Sequence, residues 1–275
     1  MTNTARSLSI VIPALNEAQN MPKVMGSIPT DALRRAGWWV EVIVVDNAST
    51  DGTGHLAAEL GAKVVTQPTR GYGHAYCAGF SAARGAVIAT GDADCTYPFD
   101  ALPELLDHFS SQRLDFMSTN RLSKTNSFAM KRSHAIGNRA LTMASRTLFR
   151  SPFRDSQSGM WIFRSRIWSH LDVRSGGMPF SQELKHEAYR LGFACAEVPI
   201  EYRPRGGVVK LNATRDGVRN LAQLLTHRAR ASSGMKRTID VRSHVHASEN
   251  NVIDLRVPGS VSDMLAVQDA AVGGS

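Results

Sequence analysis

Residues 87–98 read VIATGDADCTYP. An apolar run from Val87 to Thr90 breaks at Gly91, and two aspartates follow, Asp92 and Asp94, separated only by Ala93. Like charges repel, and a buried carboxylate is costly unless it is paired or bound to metal. The pair is therefore either screened by solvent on a surface loop or gathered around something positive. In an extended segment, residues i and i+2 point the same way, so both carboxylates could face one hard divalent cation. Mg²⁺ takes one or two protein carboxylates and completes its shell with water and phosphate oxygens, which makes a metal-bound diphosphate the expected ligand.

The same alternation of apolar run and polar loop recurs upstream. Leu8–Ile12 reads as a strand closed by Pro13, followed by a helix opened by Asn16 and Glu17 and running through Met25. Val40–Val45 is the next strand, ending at Asp46, and Ser49 or Thr50 is placed to cap a helix over Gly54–Leu60. Lys63–Val65 is a short strand, Gly71-Tyr72-Gly73 leads into a helix through Ala83, and the strand into Asp92 follows. Near-continuous apolar strands alternating with helices predict an α/β fold with a mainly parallel sheet and helices on both faces. Ligands bind such sheets at the carboxyl ends of the strands. There the loops PALNE, DNASTDGT and GDADCTYP converge, each with carboxylates or amides. Asp46, at the end of its strand, can accept hydrogen bonds from a base or ribose. Asp51 reads equally as a turn or helix-start carboxylate.

The chain of 275 residues carries a net charge of +8 and a pI near 9.7, which favours an anionic partner. Cys77, Cys95 and Cys195 are scattered, with no Cys-x-x-Cys, so neither a disulfide framework nor a zinc knuckle is expected. No signal-peptide pattern opens the chain, and no apolar run approaches the roughly 20 residues of a membrane span. A cytoplasmic protein is the expectation, meeting a membrane, if at all, from its surface. Aromatic-and-basic RNA motifs and helix-turn-helix spacing are missing, and the glycines of RGYGHAYCAG depart from G-x-G-x-x-G. Nucleic-acid binding and dinucleotide oxidoreduction are therefore set aside.

The second half changes character. From Phe116 to Arg154 there is no Asp or Glu, and the stretch carries eight Lys or Arg side chains, among them Arg121, Lys124, Arg132, Arg146 and Arg150. Ala140–Leu148 is predicted helical, Met160–Phe163 a strand, Gln182–Arg190 a helix, and Cys195–Ile200 a final strand. A basic loop spans Arg203–Lys210, and Val218–Arg230 reads as a basic amphipathic helix that either packs on the core or lies on an anionic leaflet. Beyond about Ser232 the pattern fades. The expected organisation is one domain over 1–231, with a nucleotide-sugar half to about 115 and an acceptor half over 116–231, and a poorly ordered extension over 232–275. Within that tail, Val252–Leu255 could pair as an edge strand, while His244 and His246 lack further ligands for a metal site.

VIPALNE, EVIVVDNASTDGT, RGYGHAYCAGFSAARG and GDADCTYP, in this order, resemble the family 2 glycosyltransferases. DSQSGMWIF, QELKHEAYRLGF, EVPIEY and RPRGGVVKLN narrow the resemblance to the branch containing dolichyl-phosphate mannose synthase and other polyprenyl-phosphate hexosyltransferases. The resemblance covers roughly residues 8–230. It implies a GT-A, Rossmann-like fold and an inverting transfer of a hexose from GDP-mannose or a UDP-hexose to a polyprenyl or dolichyl phosphate, with Mg²⁺ or Mn²⁺. The alternative is the same donor chemistry on a soluble small molecule or glycan. By motif match, Pro13, Leu15, Glu17, Asp46, Asn47, Ser49, Gly71, Asp92 and Ala93 would bind the nucleotide sugar, and Asp94, with Asp92, the metal. Arg121, Arg132, Arg205 and Lys210 would receive the acceptor phosphate, and Arg132 joins the two aspartates as catalytic. Gln157, Ser158 and Glu183 would orient sugar or acceptor. A phosphate monoester is already anionic near neutral pH, so it needs positioning rather than a general base. Arginine suits it through its bidentate fork.

Three features depart from the family pattern. Thr96 stands where some members carry a metal-contacting glutamine. Gln157-Ser158-Gly159-Met160-Trp161 replaces a T-S-G-F-R form, and a transmembrane segment is missing. Glu183 could serve as a base if the acceptor were an alcohol, and His74, at a helix start, reads as a donor-phosphate contact or a surface histidine.

Overall fold

A computed structural model of the chain describes residues 6–122, 132–206 and 220–229. The central strand, β1 (Arg6–Ala14), lies between β2 (Trp38–Asp46) and β4 (Val87–Thr90), parallel to both, in registers Ile10↔Val42 and Ile10↔Ala89. β3 (Lys63–Thr66) extends the β2 side. On the other side the order continues through β6 (Trp161–Arg164), β5 (Phe116–Asn120) and β7 (Cys195–Pro199), giving one seven-stranded sheet, β3-β2-β1-β4-β6-β5-β7. β6 is antiparallel to both its neighbours, and β5 and β7 are parallel.

The continuous apolar runs make sense once both faces are covered. Ile10 and Ile12 bury one face with Val44, Ala89, Phe99 and Leu102. Val11 buries the other with Ile43, Val45, Tyr76, Phe80 and Trp161. Alternate residues thus feed two cores, one on each side of the sheet. A fully buried side chain of this size contributes about 1.5–3 kcal/mol. Helices α1 (Met21–Ser27), α2 (Thr30–Arg35), α3 (Thr53–Glu59), α4 (Tyr72–Ala82) and α5 (Leu102–Ser111) fill the crossovers of the first half. The second half adds α6 (Arg132–Phe149), α7 (Ser165–Trp168), α8 (Phe180–Arg190) and α9 (residues 220–229). Among the described residues no helix is long and apolar enough to cross a membrane.

Most predicted elements are present, with shifted ends. The first helix begins at Met21 rather than near Asn16, because Asn16 adopts a positive φ of 52° and its segment bonds to the neighbouring loop instead. Neither Ser49 nor Thr50 caps α3. The cap position is Gly52 at φ 84°, and both candidates are engaged with Asn16. β4 ends at Thr90, so Asp92 and Asp94 lie in a turn and not in the extended segment expected for them. Lys124, Lys210 and the tail 232–275 lie outside the described residues, as does the side chain of Arg132, whose backbone opens α6.

α4 lies close against the sheet at Gly79. A Cβ there would meet Val11 Cγ1 at 2.3 Å and Val45 Cγ2 at 2.9 Å. Gly79→Ala is expected to destabilise the protein by about 1–3 kcal/mol through overpacking, read as a lowered midpoint in thermal or urea unfolding.

Candidate active site

Three loops at the carboxyl ends of β1, β2 and β3 are stitched together by their own polar groups. The Asn16 amide donates to Ser49 Oγ at 3.0 Å, Glu17 N to Thr53 Oγ1 at 2.8 Å and Ala18 N to Asp51 Oδ2 at 3.0 Å. Asp51 also accepts from Thr53, and these bonds hold its carboxyl below the usual range although burial acts in the opposite direction. Asp46 accepts the Ser49 amide at 3.0 Å, and its second oxygen lies over Gly54, where a Cβ would sit 2.6 Å away. Asn47 is buried. Its amide donates to Gln67 O and Thr69 O and its oxygen receives Gly71 N at 2.7 Å, which fixes the glycine loop that opens α4. Pro13, Leu15, Glu17, Asp46, Asn47, Ser49 and Gly71 therefore share one rim.

The Asp92–Asp94 turn sits beside that rim. Tyr72 donates its hydroxyl to Asp92 Oδ1 at 3.1 Å. Asp94 is 3% exposed. Its Oδ1 accepts the amide and hydroxyl of Thr96, at 3.1 and 2.6 Å, and its Oδ2 pairs with Arg205 Nη2 at 2.7 Å. Thr96 thus orients Asp94. Burial and the charge of Asp94 push the Asp92 carboxyl up to about 7, with Arg205 acting against them. Ala93 is buried between the two.

Arg205 reaches Asp94 because the segment after β7 crosses the turn. Arg203 N donates to Thr96 O at 3.0 Å and Gly206 N to Asp94 O at 2.9 Å, while the Arg203 guanidinium is bidentate on Asp100. Asn20 closes the ring by donating to Glu17 Oε2 and to Gly206 O, at 2.6 and 3.1 Å. Donor-side and acceptor-side residues predicted separately, Glu17, Asp94 and Arg205, are thereby brought together.

Other predicted residues are in different company. Arg121 is buried and bidentate on Asp155, at 2.8 and 3.0 Å, with Tyr202 under its guanidinium at 5.3 Å. Lys185 donates to Asp155 O at 2.6 Å, and Glu197 accepts the Asp155 amide at 3.0 Å. Burial would raise Asp155, but Arg121 holds it below the usual carboxylate range, whereas burial lowers Lys185 to about 8. This cluster clamps β5, β7 and α8 to the segment 151–160. Gln157 belongs to a chain of amides, donating to Gln182 at 2.9 Å and accepting from Asn220 at 3.2 Å. Ser158 bonds Thr119 at 2.8 Å. Glu183 is fully buried and accepts the Arg174 and Ser175 amides, at 3.2 and 2.8 Å, in the segment lying across Gly71–His74.

Sequence reasoning missed the tyrosines. Tyr97 receives Gly159 N at 2.6 Å and Tyr76 donates to Gly159 O at 3.3 Å. A Cβ on Gly159 would sit 2.2 Å from the Tyr72 hydroxyl and 3.4 Å from Asp92. Tyr72 stood between two glycines and Gly159 inside a motif, yet neither pattern names the other. The floor beneath Asp92 is a tertiary contact.

Comparison with known proteins matches residues 9–171 to the model of glycosyl transferase family 2. The low-salt glycan biosynthesis hexosyltransferase of Haloferax volcanii is 36% identical over 82% of this chain, which spans 55% of that protein's length. A dolichyl-phosphate hexose transferase of the same organism is 33% identical over 78% of this chain and 90% of its own. Among solved structures, glucosyl-3-phosphoglycerate synthase from Mycobacterium tuberculosis, in complex with Mn²⁺, UDP-glucose and phosphoglyceric acid, superposes with a TM-score of 0.65. The match covers 82% of this chain and 80% of that one at 23% identity, a likeness of GT-A fold alone. With the sheet, its polar rim and the aspartate turn in place, the chain belongs to glycosyl transferase family 2 and is a glycosyltransferase.

Proposed function

We propose that this glycosyltransferase moves a hexose from a nucleotide sugar to a polyprenyl phosphate, with inversion at the anomeric carbon and a divalent cation at Asp92 and Asp94. The observation that carries the reading is the meeting of Asp94 with Arg205, which sets a metal-type carboxylate against a phosphate-type cation at one point. The relative named a dolichyl-phosphate hexose transferase supports the acceptor class. The named contents of the similarly folded synthase, Mn²⁺ and UDP-glucose, support a divalent cation and a nucleotide-sugar donor.

The residues fit a cation. Two hard oxygen donors occupy a turn where burial and mutual repulsion keep Asp92 at about 7, a penalty that a bound cation would relieve. Such an ion supplies Lewis-acid stabilisation of the departing diphosphate. The protein's own groups would do the rest. Asp46, Asn47, Ser49 and Glu17 line the nucleotide rim, and Tyr72 fixes Asp92. Arg205, joined by Arg132 and Lys210, would hold the acceptor phosphate beside the anomeric carbon. Its oxygen forms the new C–O bond as the diphosphate oxygen leaves with the bonding pair. No proton need be removed, and Glu183, committed to two backbone amides, suits a reaction without a side-chain base. Gln157 and Ser158 would shape the sugar side. The domain would end near residue 231, at the face of a membrane that supplies the acceptor.

Purified protein with Mg²⁺ or Mn²⁺ and a short polyprenyl phosphate is expected to use one of GDP-mannose, UDP-glucose or UDP-N-acetylglucosamine, with product read by mass. Transfer to a soluble acceptor in the absence of any lipid phosphate would favour the alternative. Asp94→Ala is expected to lower turnover by roughly a hundredfold or more, and Arg132→Ala to raise the acceptor KM more than it lowers kcat.

Asp92 also makes a stability prediction. Its folded-state value, about 7, lies above the ordinary 3.8, so between these the folded state holds a proton that the unfolded chain lacks. Stability is therefore lost as pH rises through that window. Metal-free Asp92→Asn should melt above the wild type at about pH 8, and the margin should shrink by about pH 5. A margin independent of pH would show that Asp92 ionises normally.

A further inference from the structure

Away from the aspartate turn, the outer side of α6 borders an open groove of about 630 Å³ lined by Arg139, Arg146, Arg150 and Arg154, with Met143 among them. Among the described residues, none of these four guanidiniums is paired with a carboxylate. The stretch from Phe116 to Arg154 contains no acid to neutralise them. Met143 is 68% exposed.

α9 packs on the same helix as α6. α6 bonds α8 through Ser145 and His186, at 2.6 Å, and α9 bonds α8 through His227 and Glu187, at 2.9 Å, with the Phe149 ring stacked on both histidines. Both helices thus pack on α8, and each leaves one side exposed. α9 exposes Leu221 at 46% and Leu225 at 57%, together with Arg228. Exposed aliphatic side chains set among unpaired arginines form the surface pattern that suits an interfacial helix.

We propose that the outer faces of α6 and α9 dock this enzyme on a bilayer rich in anionic headgroups. The arginines of the groove would engage headgroup phosphates, and Met143, Leu221 and Leu225 would enter the headgroup–acyl boundary. Charge selects the partner. Four cations without a counter-charge attract an anionic leaflet, and each arginine near such a surface strengthens binding about fivefold. A small soluble anion would leave the aliphatic side chains without a role. This inference rests on the lipid-phosphate reading above, because docking would hold the enzyme where its acceptor is embedded.

The test is co-sedimentation of the full chain with vesicles. Wild type is expected to bind phosphatidylglycerol-rich vesicles, release them as salt rises, and ignore pure phosphatidylcholine. Arg139→Gln/Arg146→Gln/Arg150→Gln is expected to lower the partition coefficient roughly a hundredfold. Its transfer to a short, water-soluble polyprenyl phosphate without vesicles should be unchanged. Met143→Asp, at an exposed position, should lower partition about tenfold with the melting temperature unaltered, which keeps the test valid if the triple variant misfolds. Equal vesicle binding by wild type and variants, or capture of inorganic pyrophosphate by a wild type that ignores vesicles, would overturn the docking surface. Vesicle binding without transfer to any lipid phosphate would leave the surface standing and remove the acceptor reading.

Discussion

The repulsion between Asp92 and Asp94 is the constraint around which the described structure is arranged. Two carboxylates in one buried turn cannot both stay charged without a cation, and the fold supplies a partial answer in Arg205. Bringing that guanidinium there requires the segment after β7 to cross the turn, tied by the amides of Arg203 and Gly206. Holding the turn itself requires Thr96 against Asp94 and a tyrosine floor under Asp92. The polar rim and the basic half of the chain are thus joined through one electrostatic problem.

A second group of buried charges serves a different purpose. Arg121, Asp155, Lys185 and Glu197 satisfy one another through short bonds, so the cost of burying them is offset only while the set remains complete. The cluster fixes the end of β5 and the segment 151–160 that carries Gln157 and Ser158. Arg121 contributes to the second half of the chain chiefly through this clamp.

Much of this was legible from the sequence. The alternation of apolar runs with helices gave a parallel first half, and the placement of Asp46, Asn47 and Asp92 after their strands put them on one rim. Boundaries were harder, because Asn16 and Gly52 take left-handed conformations that no period reveals. α5 and β5 went unassigned, and the reversal of β6 could not be read from Trp161–Arg164, since a strand's direction is decided by its neighbours. The environments of Arg121 and Glu183 were hidden for a similar reason. A basic or acidic residue in a motif looks the same whether it reaches the aspartate turn, as Arg205 does, or a buried clamp elsewhere, as Arg121 does. Partners such as Asp155 and the amides of 174–175 come from other elements.

The reversed strand also decides which part of the chain reaches the rim. A strand with its carboxyl end at the rim delivers its outgoing loop there, and β1, β2 and β4 all do so. β6 runs the other way and delivers its incoming segment, which is how Gly159 arrives beside Asp92. Variation just upstream of Trp161 therefore reaches the aspartate turn, whereas changes just downstream of Arg164 fall on the opposite end of the sheet. Sensitivity of the aspartate turn to sequence change thus has an asymmetric map, set by the polarity of a single four-residue strand.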